Sequence, residues 1–291
     1  MRNRLHSIFI SFFPILSLFI MFYSLILYFM YGFLGSAGMF LSAMTIASLF
    51  MGFYIKTKTI LKLNLNIFTF LVSIGCILSF ISFLSSEDVG KTSLIISSLL
   101  LVGWFFYLRW YSVFMNRESE LLKIGKTVPE FKVMDTKGKS VSSRSFKGKV
   151  SIYIFYRGNW CPICVSQIEE IAGLYKDLEK RNVHTVLISP QPQKQTLIMA
   201  KKIDIGFHFL VDEDNKAAQQ LGIAANYGVP FGFQFLGYDS DTVLPTVFIT
   251  DEEGRILYRD LTNNYRLRPK PETFLDVIDT HYVKQKKVRS I

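Results

Sequence analysis

The chain has 291 residues, half of them apolar, and a formal net charge of +10 at pH 7. The excess is spread evenly, +5 over residues 1–115 and +5 over the remainder, which excludes the dense basic footprint of a nucleic-acid binder. Three cysteines are too few for a disulfide framework, and two of them stand together as C-P-I-C.

The first 115 residues differ in kind from the rest. Between residues 8 and 114 the sequence is nearly uncharged and rich in Phe, Leu, Ile and Ser. Four apolar stretches, 8–33, 34–55, 63–84 and 94–114, each approach the ~20 residues that carry a helix across a bilayer. The first is too long for the apolar core of a signal peptide, and Gly35-Ser36-Ala37-Gly38 reads as a turn, so an uncleaved span is expected. Arg2 and Arg4 precede the first span, and Lys56, Lys58 and Lys62 lie between the second and third. Glu87, Asp88 and a single Lys91 separate the third from the fourth, after which come Arg117, Lys123 and Lys126. Positive flanks stay on the cytoplasmic side, so both termini are expected inside a plasma (inner) membrane crossed four times. The cluster Trp104, Phe105, Phe106, Tyr107, Trp110 and Tyr111 around Arg109 fits the inner interface, where amphipathic rings settle and Arg reaches outward. One cysteine, Cys76, and no His between Ser7 and Phe114 leave this half without the parts of a thiol relay or a haem site. An anchor, or a docking surface for another membrane protein, is the reading.

Residues 116–127 read as a linker and 128–283 as one α/β domain. Val128 to Val133 alternates as an entry strand, closed by a turn at 135–139. The run VSIYIFY at 150–156 has the pattern of a strand buried on both faces. A loop, Arg157 to Trp160, feeds a helix whose apolar face is Cys164, Ile168, Ile171, Ala172, Tyr175 and Leu178. Strands at 183–189 and 207–211, helices at 194–202 and 214–221, and a hairpin of 246–250 with 256–259 around Asp251-Glu252-Glu253-Gly254 follow. A helix at 271–282 and a basic tail, 284–291, close the chain. The alternation predicts a mostly parallel sheet covered by helices, with an antiparallel hairpin at one side. The long stretch 222–244, with Tyr227, Phe231, Phe233 and Phe235, is a candidate substrate or partner surface. The tail is expected to be solvated, with anionic lipid head groups as the second possibility.

The chemistry falls on Cys161 and Cys164. A C-x-x-C at the entry to a helix, directly after a buried strand, is a specific signal of thiol redox chemistry. Pro162 suits the first helical position, where no amide donor is needed. At a helix N-terminus the dipole favours an anion, so Cys161 is expected to be held as thiolate and to attack. Cys164, almost one turn deeper on the same face, is placed to resolve a mixed disulfide. Arg157 and Trp160 supply a nearby cation and an aromatic cover. Zinc would need two more ligands, and the four His, at 6, 184, 208 and 281, show no paired spacing. Covalent haem would need His where Val165 stands. No metal and no bound cofactor is therefore expected.

GNWCPIC, followed some 85 residues later by Leu244-Pro245-Thr246 at a strand start, resembles the thioredoxin superfamily. That resemblance implies a cis Pro245 facing the active-site sulfur and a Leu244 that offers its backbone to substrate. More narrowly, IGKTVPEFKVMDTKGK, FKGKVSIYIFYRGNWCPICVSQI and LPTVFITDEEGRILY resemble the alkyl hydroperoxide reductase/thiol-specific antioxidant family, the peroxiredoxin-like redoxins. There the first cysteine attacks peroxide and a second thiol resolves the sulfenic acid. The peroxidase pattern carries a Thr where this chain has Gly158, and thioredoxins carry an Asp where this chain has Phe155. The apolar half and the dithiol together read as a membrane-anchored thiol–disulfide oxidoreductase, with Cys161 as nucleophile, Cys164 resolving and an external dithiol reductant. A thiol-dependent peroxidase using the same cysteines and a non-catalytic redox sensor are the alternatives. The partners implied are the lipid bilayer, a thiol reductant and a protein disulfide or hydroperoxide, with the redox domain in the cytoplasm.

Overall fold

The computed structural model describes residues 2–55, 64–85, 89–114, 117 and 119–289, with side chains through Val283. The lysines at 56, 58 and 62, the acidic pair at 87 and 88, Asn116 and the side chains of the basic tail lie outside these residues. Contacts divide the chain into two compact units, Leu5–Val113 and Phe114–Ile291, the second including Met1–Arg4.

The first unit is helical: α1 (Arg2–Tyr31), α2 (Leu34–Ile55), α3 (Leu65–Leu84) and α4 (Gly90–Phe105), the last continuing as a π-helical turn, Phe106–Tyr111. All four are long and apolar enough to cross a membrane. The first begins at Arg2 rather than at residue 8, and its 30 residues rise about 45 Å, more than a hydrocarbon core requires. Between α2 and α3 the backbones nearly touch. A methyl group on Gly38 would strike the carbonyl of Gly75, and one on Gly75 would strike Ser42. Small residues permit that approach, and hydroxyls then bond across it, Ser42 Oγ to the Val72 carbonyl at 3.1 Å. The π-turn arises because the amide of Ser112 donates to the carbonyl of Tyr107, one residue further back than in an α-helix. Trp104, Tyr107 and Tyr111 stack through that turn, with centroids 5.5 and 6.0 Å apart.

The second unit is built on a seven-stranded sheet in the order β2-β1-β5-β4-β3-β8-β9. Its strands are β1 (Lys132–Asp135), β2 (Ser140–Ser142), β3 (Ser151–Phe155), β4 (His184–Ser189), β5 (His208–Val211), β8 (Thr246–Thr250) and β9 (Ile256–Asp260). A separate short ladder joins β6 (Ala224–Ala225) to β7 (Thr242–Val243). The helices are α5 (Pro162–Ala172), α6 (Tyr175–Lys180), α7 (Gln193–Ile203), α8 (Lys216–Gln220) and α9 (Pro271–Arg289). The central β3 is buried at every position, as its unbroken apolar run requires. Tyr153 and Phe155 face one layer with Val186, Ile188 and Phe248, and Tyr153 stacks on Phe248 at 4.8 Å. Ile152, Ile154, Leu187 and Ile249 fill the other side and are fully buried.

Four expectations are corrected. The sheet is mixed, because only β3, β4 and β5 run parallel while β1, β2, β8 and β9 join antiparallel. The entry strand starts at Lys132, not 128. Thr127 and Val128 pair instead with the β8–β9 turn at Arg255 and Gly254, and the amide of Phe131 goes to Ser143 Oγ. The helix after Cys161 breaks at Gly173 and Leu174, where Gly lowers helix propensity, and α6 restarts to bury Leu178. The segment read as a linker is not loose. Leu122 enters the core, and Arg117 is 7% exposed.

Arg117 clamps the strand that follows Pro245. Its guanidinium donates to the carbonyls of Pro245 and Thr262, both at 2.8 Å, and to Thr246 Oγ1 at 2.7 Å. Burial pulls its pKa down to about 10, opposed by the nearby Asp260 carboxylate, so it stays charged at neutral pH. Arg117→Met leaves three buried acceptors without their donor and is expected to lower the unfolding free energy by about 3 kcal/mol. Denaturant titration of the folded chain measures this; a change below 1 kcal/mol would assign the clamp no weight.

Candidate active site

The loop between β3 and α5 carries the dithiol. After Phe155 the chain stays extended for one more residue, with the Tyr156 amide on the Ile188 carbonyl. It then turns through Gly158, whose φ is +149°. A side chain at 158 would do more than strain the backbone: its Cβ would lie 2.6 Å from Trp160 Nε1 and 3.3 Å from Gln191 Oε1. Cys161 is the N-cap of α5 in extended geometry, and Pro162 occupies the first helical turn. The two sulfurs stand 2.9 Å apart, Cys161 4% exposed and Cys164 fully buried. A disulfide is about 2.0 Å long, so the pair closes by a movement of under an ångström.

Both sulfurs face groups that bear on their ionisation. No side-chain capping hydrogen bond joins the Cys161 sulfur to the helix amides. The Arg268 guanidinium approaches Cys164 instead, with Nη2 3.9 Å from its sulfur. Burial resists ionisation of Cys164. The hydrogen bond with Cys161, the Arg268 charge and the backbone amide and charge of Arg157 outweigh it and bring the thiol down to about 5. The hydrogen bond to that charged sulfur, followed by burial, pushes Cys161 well above the ordinary thiol value. The two sulfurs titrate as one coupled pair, and a single negative charge is shared between them.

Around Arg157 and Trp160 the walls are completed by Gln191, Asn159, Tyr238 and Arg268, which sequence reading did not single out. Gln191, buried after β4, accepts from the Asn159 amide at 2.7 Å and donates to Tyr156 Oη and Thr196 Oγ1 at 3.0 and 3.1 Å. Asn159 donates to Gln195 at 2.9 Å and accepts from the Tyr238 hydroxyl. Arg157 lies over the Trp160 ring at 4.7 Å and donates to the Gly228 carbonyl, while Thr242 Oγ1 donates to the Arg157 carbonyl at 2.9 Å. Trp160 meets Phe233 edge to face at 5.7 Å. Arg268 is held by the carbonyls of Tyr265 and Leu267, both at 2.6 Å. The Pro pair around Gln191 was its only visible signal. Arg268 had none, since it reaches the sulfur from 104 residues away.

The structure gathers Arg157, Trp160, Cys161, Pro162 and Cys164 into one loop and helix turn. Leu244 and Pro245 stand at the entry to β8, but the expected cis bond is corrected to trans. The Leu244 amide is bound to the Ile223 carbonyl and the Pro245 carbonyl to Arg117, so an extended trans entry satisfies both groups. Among the described residues no group of three or more His, Cys, Asp and Glu side chains is placed to hold a metal. His184 and His208, which showed no paired spacing in sequence, do meet at 3.2 Å. They sit at the starts of β4 and β5, whereas Cys161 lies beyond the end of β3.

The sequence model of the AhpC/TSA family matches residues 124–259. A chloroplastic peroxiredoxin Q of Sedum lineare is 30% identical over 137 residues, spanning 46% of this chain and 74% of its own. The thiol-disulfide oxidoreductase ResA of Bacillus cereus is 24% identical over 157 residues, spanning 54% of this chain and 77% of its own. Among solved structures, the peroxidoxin BcpB of Mycobacterium tuberculosis aligns at 19% identity with a TM-score of 0.46, over 55% of this chain and 97% of that one.

If Arg268 stabilises the charge on Cys164, removing it raises the pH at which the dithiol loses its first proton. Arg268→Leu should shift that step upward from about 5 by roughly one unit, followed by thiolate absorbance at 240 nm. An unchanged titration would mean that the sulfur–sulfur hydrogen bond alone sets the value.

Proposed function

Since this chain belongs to the AhpC/TSA family of the thioredoxin superfamily, thiol-dependent enzymes that work without a bound cofactor, we propose that it is a thiol–disulfide oxidoreductase. The observation that carries this is the 2.9 Å dithiol at a helix start, with both cysteines buried and only Cys161 keeping a trace of exposure.

In this reading Cys161 attacks, because it alone has any exposure. A proton crosses to Cys164, the Cys161 thiolate adds to one sulfur of a substrate disulfide, and the other substrate sulfur leaves as a thiolate that takes that proton from Cys164. The mixed disulfide brings Cys164 into play. Its ionised sulfur, stabilised beside Arg268, attacks Cys161, forms the internal disulfide and releases the second substrate thiolate. Two electrons pass from the enzyme to the substrate, and an external dithiol returns them. Trp160 and the Asn159–Gln191 contacts keep the loop in place while the bonds exchange.

A thiol peroxidase with the same cysteines is the second reading, favoured by the peroxiredoxin Q relative. Weighing against it is Gly158. The peroxidase pattern has a Thr there to orient peroxide, and here the indole of Trp160 fills the space a side chain needs. The four apolar helices serve as the anchor in this proposal, and the charge pattern between them puts the redox unit in the cytoplasm.

Cys161→Ser should abolish reduction of a protein disulfide in the presence of dithiothreitol. Cys164→Ser should instead accumulate the mixed disulfide, visible as an adduct mass. Wild-type turnover that is faster with hydroperoxide than with disulfide would select the peroxidase, and survival of both activities in Cys161→Ser would remove the site altogether. For orientation, the three native cysteines are replaced by Ser and an exposed Ser145→Cys is added. A membrane-impermeant maleimide should label it only after the cells are permeabilised. Labelling of intact cells would place the redox unit outside.

A further inference from the structure

The loop between β6 and β7 has a construction that the dithiol chemistry does not use. From Tyr227 to Tyr238 it reads YGVPFGFQFLGY, with no Asp, Glu, Lys, Arg or His. Its crest is turned to solvent: Phe235 is 91% exposed, Leu236 66% and Phe231 54%. Exposing a patch of this kind forgoes the burial that apolar side chains normally obtain, and such patches mark interaction sites. The crest is also fixed in place. Phe233, in the same 3₁₀ turn as Phe235 and Leu236, packs on Trp160, the residue before Cys161. The Tyr238 hydroxyl binds Asn159, Gly228 receives Arg157, and Thr242 binds the Arg157 carbonyl. Every side chain of the active-site loop that precedes Cys161 is thus tied to this one segment.

We propose that the Tyr227–Tyr238 loop is the docking surface for an extended segment of a partner polypeptide that carries an apolar side chain beside its disulfide cysteine. This deepens the disulfide-reductase reading and rests on it. In an extended chain the neighbouring residue lies about 3.3 Å along from the cysteine, so a sulfur presented to Cys161 brings its flanking side chains against the loop joined to Trp160. The chemistry of the crest selects apolar contact, since residues 227–238 carry no charge; at its edge Asp241 receives the Tyr227 amide and Arg4 lies on the Tyr227 ring at 3.9 Å. A small charged thiol is a poorer fit. The two guanidiniums of the site are already engaged, Arg157 on Gly228 and Trp160, and Arg268 on Tyr265, Leu267 and Cys164. A carboxylate-bearing thiol such as glutathione meets no guanidinium held ready for it.

The test uses the full chain in lipid nanodiscs and three oxidised probes: a short peptide disulfide with Phe on either side of each Cys, the same peptide with Ser in those places, and 2-hydroxyethyl disulfide. Wild type should reduce the Phe-flanked peptide with a kcat/KM about tenfold above the Ser-flanked one, the size expected from partly burying one aromatic ring. Phe235→Ser/Leu236→Ser should bring the two peptides within twofold of each other and leave 2-hydroxyethyl disulfide unchanged. Rapid but equal turnover of both peptides by wild type, or a preference that survives in the variant, overturns the docking surface alone. A variant that loses all three activities in nanodiscs but not in detergent shows the loop seated on lipid and overturns it too. Failure of wild type to reduce 2-hydroxyethyl disulfide removes the disulfide reading and this inference with it.

Discussion

A dithiol that trades electrons with other molecules must keep one negative charge where there is almost no water to solvate it. Burial alone would keep both thiols protonated, since desolvation disfavours the charged form. The structure resolves this by setting the sulfurs of Cys161 and Cys164 2.9 Å apart, so that one proton serves both. The remaining charge is met on its inner side by Arg268 and the amide of Arg157. The charge passes between the two sulfurs by a proton shift over a single hydrogen bond.

Much of the surrounding architecture preserves that distance. The buried β3 delivers the chain to a fixed point, and Gly158 turns it where no other residue fits beside Trp160. Pro162 opens α5 without an amide to waste, and the helix then places Cys164 under Cys161. Gln191 braces the loop from the neighbouring strand end, and Arg117 braces the other flank by holding the carbonyls before β8 and after β9. These braces come from four separate stretches of chain, which is why the site needs the whole sheet and not a local motif alone.

The apolar unit follows different physics. Its helices are long and apolar enough to cross a membrane, and they meet through small residues and hydroxyls, as at Gly38, Gly75 and Ser42. Among its described residues Cys76 pairs with Ser98, not with another thiol. Its contribution to the proposed function is location.

Local pattern determined a good deal. The apolar stretches showed four membrane-length helices, the run at 150–156 showed the buried central strand, and C-P-I-C at a helix entry showed the dithiol, because each is written in consecutive residues. Tertiary structure alone decided the rest. The antiparallel joining of β1 and β8, the trans bond at Pro245 and the buried role of Arg117 depend on partners 70 to 145 residues away. The charge environment of the pair was likewise beyond reach of spacing. Helix position pointed to a partial positive charge at Cys161, whereas the arginine 104 residues downstream of Cys164 is brought against the dithiol only by the fold.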